Sequence, residues 1–256
     1  MGWERNVIIK TTDEIAIMRE AGRINAQALV AARALISPGV STADLDAASE
    51  EVILRHGAIP TFKGVPGAYP YPAATTISIN AELVHGIPGK RTLRTGDIVS
   101  VDCGTTFEGF VGDSAFTAPV GEVSEEAQRL IDVTEKALYI GIEILRPGNR
   151  VGDVGAAIQQ YVEGLGYHLT RIYTGHGVGR QMWEGPQVPN YGTSGRGIVL
   201  RAGMTIALEP MVLIGTPETR VMSDQWTVAS ADGSLTAHYE HTVVVTEDEP
   251  LILTVL

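Results

Sequence analysis

The chain has 256 residues, enough to bury a sizeable core as one large domain or two small ones. Nineteen basic against thirty acidic residues leave a net charge of −11, which argues against non-specific binding to nucleic acid or anionic lipid. The single cysteine, Cys103, excludes an internal disulfide and a cysteine-cluster zinc site and suits a reducing compartment. No apolar run approaches the roughly 18 residues of a membrane span, and Met1–Lys10 lacks the layout of a secretion signal, so a cytoplasmic protein away from membranes is expected.

In chain order, the first predicted element is a helix from about Asp13 to Ile36, opened by a capping box of Thr11 and Glu14. Ile15, Met18, Leu29, Ala32 and Ile36 fall at helical spacing on it. Pro38-Gly39 ends that helix, and a second runs toward Gly57. The stretch Thr61 to Thr76, rich in Pro, Gly and Tyr, reads as an ordered irregular loop and a wall for a pocket. Asp97 to Val120 forms the clearest hairpin, with Glu108-Gly109 near its tip.

Ser124 then caps a helix over about Glu125 to Leu145. The next segment repeats the first half: Ile36 to Gly57 aligns without a gap with Leu145 to Gly166, an offset of 109 residues. Pro38-Gly39 matches Pro147-Gly148, Asp44 matches Asp153, and Gly57 matches Gly166. Strands are expected over Met204 to Ile214 and His238 to Thr246. Each half is therefore helix, Pro-Gly turn, helix, then strands. The pattern predicts one α+β domain over residues 1–256, with pseudo-symmetric halves at about 8–120 and 121–250 and helices packed on antiparallel sheet.

Carboxylates sit where strands disfavour them. Asp102 and Asp113 flank the hairpin tip almost symmetrically and should lie near each other across the strands. Glu209 and Glu240 lie in the apolar strands of the second half. Four buried acids need a proton, a cation or a metal between them, and Arg180 or Arg220 could supply ordinary salt bridges. His176, in Gly175-His176-Gly177-Val178-Gly179, is the best histidine ligand because its glycines allow close approach; His238, on the strand face of Glu240, is the runner-up. His85, in Val84-His85-Gly86-Ile87-Pro88, reads as a supporting or substrate-facing group, whereas His56 and His168 read as structural. Four carboxylates and one histidine match two divalent cations better than one zinc.

These residues carry a pattern that resembles the type I methionine aminopeptidases, from about Ile8 to the C-terminus. The matching stretches are Ser78-Ile79-Asn80, Val84 to Pro88, Gly96 to Val99, Gly109-Phe110 with Gly112-Asp113, Gly175 to Arg180, Glu209-Pro210-Met211 and Tyr239 to Thr242. The resemblance implies the pita-bread fold, with two αα-ββ halves. It assigns Asp102, Asp113, His176, Glu209 and Glu240 as ligands of two metals, drawn from manganese, iron(II), cobalt and zinc, with Asp113 and Glu240 bridging. His85 falls on a substrate-contacting histidine, and Glu209 on the proton shuttle. The implied reaction is hydrolysis of the bond after an N-terminal Met by a hydroxide activated between the metals. The implied partners are nascent polypeptides and peptides that begin with Met, with the ribosome as a candidate, and the chain is expected to act as a monomer without binding a specific nucleic acid or a membrane.

The chain departs from the family at one informative place. Gly179-Arg180-Gln181-Met182-Trp183-Glu184-Gly185-Pro186 puts Trp183 where the family carries a second substrate-contacting histidine. An indole N–H donates one hydrogen bond and cannot shuttle a proton at neutral pH, so lowered activity or a changed preference for the second residue is expected. Phe62, Tyr71, Thr76, Met182 and Trp226 lie where the family lines its methionine pocket, with Thr76 replacing a common cysteine. Two other readings stay open: a pita-bread peptidase of different specificity, such as one cleaving before proline, and a non-catalytic pita-bread protein that binds peptides.

Overall fold

The computed structural model describes residues 6–256, so Met1 to Arg5 of the N-terminal stretch lie outside the described residues. The first half opens with helix α1 (Thr12–Leu35), whose Thr11–Glu14 capping box forms as the sequence predicts. Helix α2 (Thr42–Arg55) is next, then the short strands β1 (Ile59–Pro60), β2 (Thr75–Ile79) and β3 (Glu82–Val84). The long hairpin completes this half, β4 (Ile98–Phe107) and β5 (Phe110–Pro119). Its loop is the two residues Glu108 and Gly109, both at positive φ (46° and 78°), the turn whose twist matches that of the flanking strands.

The second half opens with α3 (Glu125–Ile144) and α4 (Val151–Gly164). Helices α2 and α4 coincide end for end under the 109-residue offset. In each, the aspartate three residues after the N-cap accepts a hydrogen bond from the cap's backbone N–H: Asp44 from Ser41 at 3.0 Å, Asp153 from Arg150 at 2.7 Å. Both preceding turns rest on a glycine at φ 91°, Gly39 and Gly148. The repeat in the sequence is thus a repeat in the backbone.

Strands β6 (His168–Leu169), β7 (Gly175–Gly177), β8 (Glu184–Val188), β9 (Thr205–Leu208) and β10 (Met211–Leu213) come after these helices. Strands β11 (Thr219–Val221), β12 (Val228–Ser230), β13 (Thr236–His238), β14 (Glu240–Val244) and β15 (Leu251–Ile252) complete the chain. The main sheet runs β1-β4-β5-β14-β9-β7-β8, with β2 also on β4 and β15 on β14, and its ladders are antiparallel. Its centre is the seam where β5 of the first half meets β14 of the second. One apolar core spans that seam, from Ile24, Leu45 and Val101 to Leu138, Ile158, Leu208 and Val243. The fold is α+β with pseudo-symmetric halves around antiparallel sheet.

The structure corrects the strand boundaries in the second half. The predicted strands Met204 to Ile214 and His238 to Thr246 each split in two, at Glu209-Pro210 and at Tyr239. Beyond those points β10 and β13 leave the main sheet and pair in a three-stranded sheet with β6. Proline has no N–H to continue a ladder, so the chain creases there. The register is continuous across the crease, with Leu208 opposite His241 before it and Met211 opposite His238 after it. Glu209 and Glu240 therefore face each other where the two sheets part.

Candidate metal centre

Strand register alone puts five side chains on one face. Asp102 pairs with Ala115, two residues from Asp113, so the two aspartates are diagonal neighbours across β4–β5. Glu240 also pairs with Ala115, which makes Asp113 and Glu240 diagonal neighbours across the seam. Glu240 faces Glu209 at the crease, and His176 pairs with Ala207, diagonal to Glu209. The result is a continuous path, Asp102, Asp113, Glu240, Glu209, His176, drawn from both halves.

Distances among four of the five agree with that path. Ligand atoms of Asp113, His176 and Glu240 all lie within 4.8 Å of one another. His176 Nε2 lies 3.8 Å from Asp113 Oδ2 and 3.5 Å from Glu209 Oε1. The other imidazole nitrogen, Nδ1, lies 2.9 Å from the Gly177 carbonyl oxygen. A carbonyl can only accept, so Nδ1 carries the proton and Nε2 presents its lone pair to the carboxylates. His238, the runner-up, stands behind Glu209 instead, its Nε2 3.7 Å from Glu209 Oε2.

The electrostatics of the bare cluster are unfavourable. Burial first, and then the charge of Asp113, hold the Asp102 carboxyl well above the usual carboxylate range. Burial does the same to Asp113, pushing it up to about 7. Glu209 and Glu240 are raised by burial and then by the neighbouring aspartates. Burial pushes His176 down to about 4, so its imidazole is neutral at pH 7. Among the described residues no lysine or arginine forms an ion pair with any of the four acids. Arg180 lies over the Phe110 ring and pairs with Glu14 at 3.3 Å, and Arg220 sits on the partly exposed β11, which removes the salt-bridge alternative.

A divalent cation fits this set. Asp102 Oδ1, Asp113 Oδ1 and Glu240 Oε1 are buried without a hydrogen-bond partner among the described residues, an expensive state that a cation relieves. Oxygen-rich donors with one neutral imidazole suit hard or borderline divalent metals.

One open cavity joins the five side chains to His85 and to an apolar end. His85 sits at a positive φ of 62°, a strained position for a non-glycine residue that aims its imidazole inward against the edge of Tyr173. Gly86 clamps the turn to β2: its N–H donates to Ser78 Oγ at 3.1 Å and its carbonyl accepts from Ile77 N–H at 2.8 Å. Burial lowers His85 to about 4, so it too is neutral. Phe62, Tyr71, Thr76, Met182 and Trp226 line the cavity as the sequence predicts. The Tyr71 hydroxyl shares its one proton between the Thr75 and Gly86 carbonyls, and the Trp226 ring meets Tyr71 edge-on at 5.1 Å, which fixes the loop around it. Trp183 stands at the rim, 46% exposed, its ring 6.5 Å from that of His176.

Sequence reasoning missed the residues that hold this frame. Thr242 Oγ1 accepts from Asp113 N–H at 2.9 Å and donates to the Asp113 carbonyl at 2.8 Å, locking a strand position across the seam. Asn190 donates to the Glu209 carbonyl at 2.8 Å, at the crease. Lys10 and Glu184 form a buried ion pair beside the rim. A Thr in a Val-rich strand and an Asn in a loop are ordinary residue types for those places, so nothing local marks them.

A family model described as metallopeptidase family M24 matches residues 16–247. The chain is 49% identical over 249 residues to a methionine aminopeptidase of Clostridium acetobutylicum, covering 97% of this chain and 98% of that one. It superposes on the crystal structure of the methionine aminopeptidase from Thermotoga maritima with a TM-score of 0.95 at 45% identity, covering 98% of this chain and 100% of the other. The prolidase from Pyrococcus furiosus shares the architecture more distantly, with a TM-score of 0.79 at 25% identity over 97% of this chain and 66% of that one.

Proposed function

The chain belongs to the type I methionine aminopeptidases of metallopeptidase family M24, with their pita-bread fold, and from that premise we propose how its own residues divide the reaction. The protein is a metallopeptidase that removes the N-terminal methionine of peptides by metal-dependent hydrolysis. The observation that carries the assignment of roles is the same-face path of Asp102, Asp113, Glu240, Glu209 and His176 across the seam of two halves.

We assign those five as the ligands of two divalent cations, with Asp113 and Glu240 at the shared centre. When bound, the cations polarise the scissile carbonyl and make a water nucleophilic at neutral pH. The protein's residues do the rest. The apolar end formed by Phe62, Tyr71, Met182 and Trp226 takes the methionine side chain and excludes water. Neutral His85 hydrogen-bonds the peptide at the scissile amide. Glu209, whose burial raises its proton affinity, takes the proton of the attacking water and returns it to the leaving amine.

The substrates in this reading are peptides and nascent chains that begin with Met, met in the cytosol, with the ribosome as a candidate partner. Both halves act as one catalytic domain, working as a monomer. No described helix is long and apolar enough to cross a membrane. Trp183 at the rim favours one refinement, a preference among second residues set by the indole rather than by a second imidazole.

The test is calorimetric and enzymatic together. Metal-stripped protein titrated with manganese or cobalt should take up two equivalents and gain methionine release in parallel. Asp113→Asn should lose at least about a hundredfold of that activity and one cation equivalent. Full turnover in that variant with metal supplied contradicts the shared-ligand assignment.

A further inference from the structure

The turn Gly179 to Glu184 carries two residues of the cavity, Met182 at its apolar end and Trp183 at its rim. Within it the Gly179 N–H donates to the Gln181 carbonyl at 3.1 Å, and Glu184 begins β8, paired with Gly177. The turn is held at both ends. The Gly179 carbonyl accepts from Val111 N–H at 2.8 Å, which docks the turn on β5 near the hairpin tip. At the other end, Glu184 Oε1 accepts from Gln181 N–H at 3.1 Å, closing the turn on itself.

The second oxygen of that carboxylate, Oε2, pairs with the Lys10 ammonium. The two residues lie 174 positions apart, and their side chains are only 2% and 3% exposed. Lys10 is itself fixed: its N–H donates to the Gly203 carbonyl at 2.8 Å, and its Nζ also reaches the Ile8 carbonyl at 3.3 Å. Val7 bridges to Gly185 beside it. Gly179 leaves no room for anything else, since a Cβ there would meet the Lys10 Cε and lie 2.7 Å from both Lys10 Nζ and Glu184 Oε1. The pair is therefore enclosed, geometrically constrained and joined to the turn that carries Met182 and Trp183 into the cavity.

We propose that the buried Lys10–Glu184 ion pair is the positioning device for substrate selection: it ties the N-terminal segment to the Gly179–Glu184 turn and so sets where Met182 and Trp183 stand in the cavity. A buried carboxylate keeps a fixed place only while its counter-charge is present. With Lys10 removed, Glu184 turns toward water and releases Gln181 N–H, and the turn gains freedom. Met182 then no longer fits one side-chain shape, and Trp183 no longer holds one place at the rim. Neither Lys10 nor Glu184 lines the cavity that holds His85 and Met182, so both are positioning residues. The inference rests on the methionine aminopeptidase reading given above, but its first readout does not depend on it.

The experiment compares wild type with Lys10→Met, Glu184→Gln and the double variant. Backbone amide exchange at Gln181 is measured without substrate, and release from Met-Ala-Ser and Leu-Ala-Ser with metal supplied. Lys10→Met should speed Gln181 exchange at least tenfold while exchange in β4 and β5 is unchanged. It should raise KM for Met-Ala-Ser about tenfold, leave kcat within about threefold, and reduce the Met-to-Leu preference. Because both partners act through one contact, the double variant should be no worse than the poorer single. If Lys10→Met fails to fold, Glu184→Gln carries the comparison through KM and the Met-to-Leu preference, since it removes the charge that holds Lys10 while Gln181 N–H keeps an acceptor. Variants with a lowered melting temperature but wild-type Gln181 exchange, KM and Met-to-Leu preference overturn the proposal, as do additive effects. A wild type that releases no methionine overturns the functional reading instead, and the exchange data still judge the tie.

Discussion

At the scale of the residue, Asp113 shows how function is set against stability. Burial pushes its carboxyl up to about 7 in the folded chain, against an ordinary value of 3.8. A raised folded pKa means stability that is present below about pH 4 and lost as pH rises through 7. Asp113→Asn should therefore raise the melting temperature of the metal-free protein at pH 8 and change it little at pH 4, while removing catalysis. Thermal scans of metal-stripped protein at the two pH values check the sign, and destabilisation at pH 8 contradicts the strained cluster. Trp183 is the other residue with a separable effect. Its indole donates but cannot shuttle a proton, so Trp183→His should raise kcat on Met-Ala-Ser by roughly tenfold, below the usual range for a positioned acid–base group. Steady-state kinetics decide it, and an unchanged rate means that another group already supplies that role. Both positions were visible in the sequence, because an aspartate within a strand and a tryptophan between Met182 and Glu184 break local expectation.

At the scale of the element, the site depends on strands kept in register by contacts that leave no trace in composition. Helix α1 lies so close on β5 that a Cβ on Gly112 would meet the backbone of Gly22 at 2.7–2.8 Å. Gly112→Ala should cost about 1–3 kcal/mol by overpacking, read from denaturant unfolding, and should weaken cation binding because Asp113 is the next residue. An unchanged midpoint means that α1 can move away at no cost. Helices α1 and α3 were legible to within a residue or two because their caps are written locally: Thr11 with Glu14, Ser124 ahead of Glu125. The crease at Glu209-Pro210 and Tyr239 was not. An apolar run reads as one strand, and only the packing of two sheets shows that it changes partners there. The Lys10–Glu184 tie was beyond reach for a related reason, since no local pattern links residues 174 positions apart.

At the scale of the molecule, the two halves meet at the seam and each supplies charge that neither can neutralise. Asp102 and Asp113 come from the first half, and His176, Glu209 and Glu240 from the second. Cation binding should therefore couple the halves and report on their protons. Affinity should rise with pH through about 7, where Asp113 ionises, by as much as roughly tenfold per pH unit for each proton released. Saturation at about a hundred times Kd should raise the melting temperature by roughly 5–10 °C. Titrations between about pH 5 and 8 read the slope, and a flat profile means that the acids are already ionised without metal.

The most direct test of the central claim is release of free methionine from Met-Ala-Ser by metal-stripped protein. Manganese, cobalt or iron(II) is added in steps, and the release is set beside that of Asp113→Asn. The expected result is no release without metal, release that saturates as two equivalents bind, and loss of that response in the variant. Methionine release by the stripped protein, or an equal response from Asp113→Asn, contradicts the dinuclear metal centre.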